Sequence, residues 1–96
     1  MTAAFTSQES ERENIIAELV NYVVSQHPSN FTADTLPRNE SLLGLGVIDS
    51  AGVIELIMFV ESNWGIEISD DEITTERMGS LTRLATLVQE HLATKA

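Results

Sequence analysis

An aspartate–serine pair, Asp49-Ser50, has the clearest chemical potential in this sequence. It lies where a long irregular segment ends and an apolar helix is predicted to begin. A serine in the first turn of a helix has its hydroxyl near unpaired backbone N–H groups and the positive end of the helix dipole, a favourable place for a phosphate ester. Asp and Ser are also preferred N-cap residues, so the pair taken alone favours a simple cap.

The charge distribution favours a protein partner for this stretch over solubility alone. The 96 residues carry 15 acidic and 5 basic side chains, a formal net charge of −10, and no cysteine. Between Arg38 and Arg77 every charged residue is acidic, which repels nucleic acid and anionic membranes and attracts basic surfaces. No signal peptide or membrane-length apolar run is present. We expect a cytoplasmic monomer that binds neither nucleic acid nor membrane, with any thiol supplied by an attached group.

Hydrophobic spacing predicts an all-α domain. Apolar residues recur at i, i+3, i+4 and i+7 in segments 10–26, 50–63 and 80–92, so each is predicted to be a helix with one buried face. A capping box at Ser69 predicts a short helical turn through about Thr75. We expect a flexible segment at 1–9, a folded domain at 10–93 and a tail at 94–96. The predicted core comprises Ile15, Ile16, Leu19, Val20, Tyr22, Val23, Val53, Leu56, Ile57, Phe59, Val60, Leu81, Leu84, Ala85, Leu87, Val88 and Leu92.

The long loop, the glycines and the two histidines give further predictions. Residues 28–48 form a long loop rich in apolar side chains, which we expect to lie on the domain, with Gly44 and Gly46 allowing tight bends. Gly65 is predicted to end the second helix in a left-handed conformation. His27 is predicted to be a solvated histidine at a helix C-terminus, and His91 to point away from the buried face.

The second predicted helix carries more apolar side chains than one buried face requires. Ile54 and Met58, four residues apart, lie with Ala51 and Glu55 on a side that the core does not need. Apolar side chains ringed by acids suggest a contact surface for a partner. The alternative is that this short helix is buried on most sides.

Together these features resemble the acyl carrier proteins and the aminoacyl (peptidyl) carrier proteins. The likeness covers residues 10–92 and rests on the helix order, the long first loop, the motif Gly46-x-x-Asp49-Ser50 followed by Val53 and Glu55-Leu56, and the turn Trp64-Gly65-Ile66. It implies a four-helix carrier bundle of three longer helices and one short helix. It also implies 4′-phosphopantetheine on Ser50, added by a phosphopantetheinyl transferase as the hydroxyl attacks the β-phosphorus of coenzyme A. The thiol of that arm would hold the cargo as a thioester.

The resemblance further implies a set of partners. A free-standing carrier of this kind is not an enzyme; an adenylating acyl or aminoacyl ligase loads it, and downstream tailoring or condensing enzymes use the cargo. The cargo stays open, because residues 73–81 resemble aminoacyl carriers whereas the acidic helix resembles free-standing acyl carriers. The implied docking residues are acidic Asp49, Glu55 and Glu61 and apolar Ala51, Ile54 and Met58.

Two positions depart from the family pattern. Ala51 stands where leucine or methionine is usual, and Gly52 stands where a polar residue is common. Glycine costs up to about 1 kcal/mol in a helix interior and less in a first turn. The two residues together predict a partner that approaches closely or is specialised.

Two alternatives remain beside the carrier, a hydrolase and an adaptor, and a metal site is not predicted. A hydrolase could use Asp49, Ser50 and a histidine, but Ile48-x-Ser50-x-Gly52 lacks the first glycine of a nucleophile elbow, and a small helical chain has little room for an oxyanion hole. An acidic helical adaptor could bind a protein without covalent modification. The run Asp70-Asp71-Glu72 lacks the ligand pattern of a calcium loop, so no metal site is predicted.

Overall fold

The computed structural model describes residues 7–27, 29–73 and 79–95, and these ranges contain three α-helices and one 3₁₀ turn. The helices are α1, Ser7–Gln26, α2, Ser50–Trp64, and α3, Leu81–Lys95; the 3₁₀ turn is Asp70–Glu72. No strand occurs among the described residues, which agrees with the predicted all-α bundle. No described helix has the length and hydropathy needed to cross a membrane.

The helix boundaries differ from the predictions at three ends. α1 begins at Ser7, three residues before the predicted start, and α3 continues to Lys95, three residues beyond the predicted end. Of the turn predicted through about Thr75, Asp70–Glu72 is helical and Ile73 is not. Residues 74–78 lie outside the described residues.

A single hydrophobic core lies between the helices and beneath the long loop. α1 packs chiefly against α3, and α2 makes a smaller contact with α3. The predicted core residues are buried except Tyr22, Val53, Phe59 and Leu92, which are half-buried at its margin. The loop adds Leu36, Leu42, Val47 and Ile48, and the segment after α2 adds Ile66 and Ile68.

The 3₁₀ turn is held to α3 by a carboxylate clamp. The Ser69 N–H and Oγ both donate to Glu72 Oε1, at 3.0 and 3.1 Å. His91 Nε2 lies 2.9 and 3.0 Å from the two oxygens of the same carboxylate. The Ser69 N–H, followed by the His91 ring and the Ser69 hydroxyl, holds the pKa of Glu72 below its ordinary value, against the opposing effect of burial. His91 is half-buried in this contact and joins two segments, and its predicted direction away from the buried face stays a prediction.

Candidate functional site

The loop before Ser50 ends in a tight turn that leads directly into α2. Val47 N–H donates to Leu42 O, and Gly46 N–H donates to Leu43 O, both at 3.0 Å. This is the hydrogen-bond pattern of a Schellman motif, which requires a left-handed residue at its end. Gly46 supplies it with φ +74°. The predicted bend at Gly46 is confirmed, and it brings Val47 and Ile48 down into the core.

The same loop is fastened to the start of α3. Thr82 donates both its N–H and its hydroxyl to Arg38 O, at 3.0 and 3.1 Å. Leu42 N–H donates to Gly79 O at 3.2 Å. At α3 itself, Ser80 acts as the cap, because its Oγ accepts the Arg83 N–H at 3.2 Å. The position of Ser50 thus depends on contacts between its loop and residues 79 and 82, which lie 29 and 32 positions after the serine.

At the start of α2 the capping role and the exposed hydroxyl are divided between two residues. Asp49 is the N-cap, with Oδ1 accepting the Gly52 N–H at 2.8 Å. Ser50 is the first helical residue and is exposed. No hydrogen bond joins its hydroxyl to any described residue. Since Asp49 satisfies the helix terminus, the Ser50 oxygen is available for modification beside the positive end of the helix dipole.

Two apolar side chains follow Ser50 along the outer side of α2. Ile54 is 61% exposed and Met58 is 62% exposed, at four-residue intervals from the serine. Ala51 and Glu55 are also exposed. The alternative that α2 is buried on most sides is therefore wrong. We call Ser50, Ala51, Ile54, Glu55 and Met58 the α2 outer face.

The three acidic docking candidates are placed differently. Glu55 is exposed on the α2 outer face, whereas the Asp49 carboxylate is engaged at the cap. Glu61 is half-buried, and its Oε2 accepts the Ile68 N–H at 3.0 Å. That bond holds the segment after α2 against the helix. A docking role for these residues stays a prediction, and Glu61 has a structural role besides.

The C-terminal end of α2 follows the prediction closely. Gly65 adopts φ 64°, and its N–H donates to Glu61 O, as expected for a left-handed cap. Trp64 packs edge-on against Phe59, with ring centroids 5.9 Å apart. Phe59 in turn stacks on Tyr22 of α1 at 4.2 Å. This aromatic row joins α1 to α2 along the margin of the core.

His27 is not solvated, contrary to the prediction. Its side chain is only 16% exposed, and Nε2 is buried without a hydrogen-bond partner. The ring lies edge-on to Tyr22 and covers Gly52 at the start of α2. The α1 C-terminus is thus folded under the first turn of α2, a tertiary contact that the local helix-end pattern does not reveal.

Gly52 lies in close contact with other parts of the chain. It is buried, and a Cβ at this position would lie 3.1 Å from His27 Cε1 and 3.1 Å from Ile48 Cβ. The close neighbours belong to the same chain, so packing against His27 and Ile48 is one reason for a glycine here. A close or specialised partner at Ala51 and Gly52 stays a prediction. The sequence indicates that Gly52 is unusual, because it is a glycine within a helix near the candidate attachment residue. The sequence does not show that His27 packs against it.

Other chemistry is absent from the described part of the chain. No group of three or more metal-ligating side chains occurs there. His91 pairs with Glu72, and His27 Nε2 has no hydrogen-bond partner, so neither histidine is bonded to Ser50. Burial, with a smaller contribution from the Glu55 charge, raises the pKa of Tyr22 above its ordinary value, so this phenol is neutral at pH 7.

An exposed serine at a capped helix start, in a small bundle with a long anchored loop, defines a carrier-type domain. Comparison with known proteins gives the family. The chain is 32% identical over 77 residues to the acyl carrier protein of Zymomonas mobilis, covering 80% of this chain and 95% of that protein. It belongs to the acyl carrier protein family, and is therefore a carrier and not an enzyme.

A solved structure gives a second similarity. A chain of a structure described as "Crystal structure of FAD-dependent dehydrogenase" matches with a TM-score of 0.62 and 27% identity, covering 73% of this chain and 97% of that chain. No protein-family model matches the sequence.

Proposed function

We propose that this carrier holds a biosynthetic intermediate on a 4′-phosphopantetheine arm attached to Ser50. The observation that supports it is the exposed Ser50 hydroxyl, which has no hydrogen bond to a described residue because Asp49 caps the helix in its place. A phosphodiester on this oxygen would lie beside the helix N-terminus, where N–H groups and the dipole favour an anion. The arm supplies a terminal thiol, which this cysteine-free chain lacks.

The proposed loading enzyme is an adenylating acyl or aminoacyl ligase, and the docking surface is the α2 outer face with Asp49 and Glu61. The basis is a row of exposed apolar side chains beside acids, on a chain of net charge −10. Such a surface attracts a basic partner and releases it readily, because exposed charge contacts are weak and screened by salt. A carrier that moves between enzymes must both attract each partner and release it. The cytoplasm is the proposed location.

The test is arm addition followed by intact mass measurement. The protein is incubated with coenzyme A and a broad-specificity phosphopantetheinyl transferase. We expect a gain of one arm on the wild type and none on Ser50→Ala. Ser62→Ala, which removes another exposed serine of α2, is the matched control and should gain the arm. An unmodified wild type, or an arm on Ser50→Ala, would support the unmodified adaptor or another attachment residue.

Among the downstream tailoring enzymes we propose a FAD-dependent dehydrogenase. The solved chain that resembles this one belongs to a structure of that description. In such a step two hydrogen atoms pass from the cargo to FAD, giving oxidised cargo and reduced flavin. Loaded protein mixed with a FAD-dependent dehydrogenase should bleach the flavin, and the unmodified protein should not. Equal bleaching by both would refute this partner.

A further inference from the structure

The imidazole of His27 lies beneath the first turn of α2, which carries the proposed attachment residue Ser50. Its Nε2 is buried without a hydrogen-bond partner, although an unsatisfied buried polar atom is costly. Glu55 Oε1, on the α2 outer face, is 3.8 Å away, outside hydrogen-bond distance. The His27 side chain is 16% exposed and that of Glu55 is 63% exposed. One partner is therefore held by packing while the other can move.

Among the described residues, Tyr22 and Glu55 lie against His27, and Asp49 lies near the adjoining Gly52. Tyr22 of α1 presents its ring at 6.0 Å and is neutral at pH 7. The Asp49 carboxylate also borders Gly52, but its Oδ1 is engaged by the Gly52 N–H at 2.8 Å. Glu55 of α2 is the group with an exposed side chain and a carboxylate oxygen near Nε2. The Glu55 side chain is therefore the group that can move when the His27 ring is protonated.

We propose that protonation of His27 draws Glu55 onto the imidazolium and thereby weakens partner docking at the α2 outer face. A neutral imidazole attracts the Glu55 carboxylate only weakly, so that carboxylate stays in solvent. When the ring takes up a proton from water, a charge-assisted hydrogen bond becomes available at about 2.8 Å, which requires a movement of about 1 Å. The pair then has no net charge, so a basic partner loses one anionic contact.

This coupling rests on the proposed function, because it assigns pH sensitivity to the docking surface of Ser50. Histidine side chains change charge between about pH 5 and 8. Docking is therefore stronger while the ring is neutral and weaker once the ring has taken up a proton. Loss of one exposed charge contact corresponds to a change of about two- to fivefold in the rate of a docking-limited reaction.

The experiment measures kcat/KM for arm addition at low salt across this pH range for the wild type and for His27→Gln. The ratio of variant to wild type at each pH cancels the pH dependence of the transferase. We expect it to rise about two- to fivefold toward acid pH. His91→Gln, which removes the other histidine of the chain, is the matched control and should give a flat ratio. In a Glu55→Gln background, His27→Gln should also give a flat ratio.

A second measurement does not depend on modification. The NMR shift of the Glu55 carboxyl carbon should follow the titration of the His27 ring in the wild type, and this response should disappear in His27→Gln. Independent titrations, or equal rate ratios for His27→Gln and His91→Gln at every pH, would overturn the coupling. An unmodified wild type at all pH values would instead overturn the proposed function, and the NMR titration would still decide the contact.

Discussion

Gly52→Ala is the most informative substitution in this chain, because two effects of similar size oppose each other. Alanine is favoured over glycine in a helix by up to about 1 kcal/mol. The added methyl group would lie 3.1 Å from both His27 Cε1 and Ile48 Cβ, tighter than ordinary van der Waals contact. Overpacking of this kind costs about 1 to 3 kcal/mol. We expect a net loss of about 1 kcal/mol in the free energy of unfolding.

The magnitude is measurable by thermal and urea unfolding of the unmodified protein. In a domain of this size, 1 kcal/mol corresponds to a shift of about 4 to 8 °C in Tm. The cause is tested by repeating the substitution in a His27→Ala background, where one of the two close neighbours is gone. The cost of Gly52→Ala should fall by at least about 0.5 kcal/mol there, as contacting residues are coupled to that extent.

Two results would refute this reasoning. If Gly52→Ala is more stable than the wild type, helix propensity outweighs the contact and the glycine is not required by packing. If its cost is the same with and without the His27 ring, the close approach is to Ile48 alone. Slower arm addition without lower stability would support the interpretation that Gly52 admits a partner.

Three further predictions concern the cap, the outer face and the clamp. Asp49→Ala should lower the free energy of unfolding by about 1 kcal/mol through loss of the N-cap bond, while Asp49→Asn should retain most of it; equal losses would contradict a capping role. Ile54→Ser should change stability by less than about 0.5 kcal/mol and slow arm addition, whereas Leu56→Ala should cost about 2 to 5 kcal/mol in urea unfolding; unchanged arm addition for Ile54→Ser would argue against docking there. The lowered pKa of Glu72 contributes stability that is fully present above the ordinary glutamate pKa, about 4.3, and is lost as the pH falls through the lower folded value. In Glu72→Gln the free energy of unfolding should lack this dependence on acid pH. If the variant and the wild type show the same pH dependence there, the clamp with His91 does not contribute.

Features set by local sequence were predictable. Helix faces follow from the spacing of apolar residues, and the buried Leu56 and exposed Ile54 differ only by their angular position on α2. The left-handed conformations of Gly46 and Gly65 follow from their places in turns that only glycine adopts easily. The division of roles between Asp49 and Ser50 follows from N-cap chemistry.

Features set by contacts between distant segments were not predictable. The burial of His27 depends on Gly52, twenty-five positions away, and a helix-end histidine is solvated unless another element covers it. The bond from Ile68 to Glu61 similarly gives a structural role to an acid that local pattern placed on a docking surface. A single sequence shows which residues are apolar or charged, but not which distant residue fills the space beside a glycine.

The attachment of the loop to the start of α3 has a consequence for the timing of biosynthesis. Arg38 and Leu42 are held by Thr82 and Gly79, residues that a ribosome adds long after Ser50. The serine can leave the ribosome tunnel before the segment that fixes its surroundings has left it. We expect nascent chains that end before α3 to be poor transferase substrates, so that the arm marks chains in which α3 is in place.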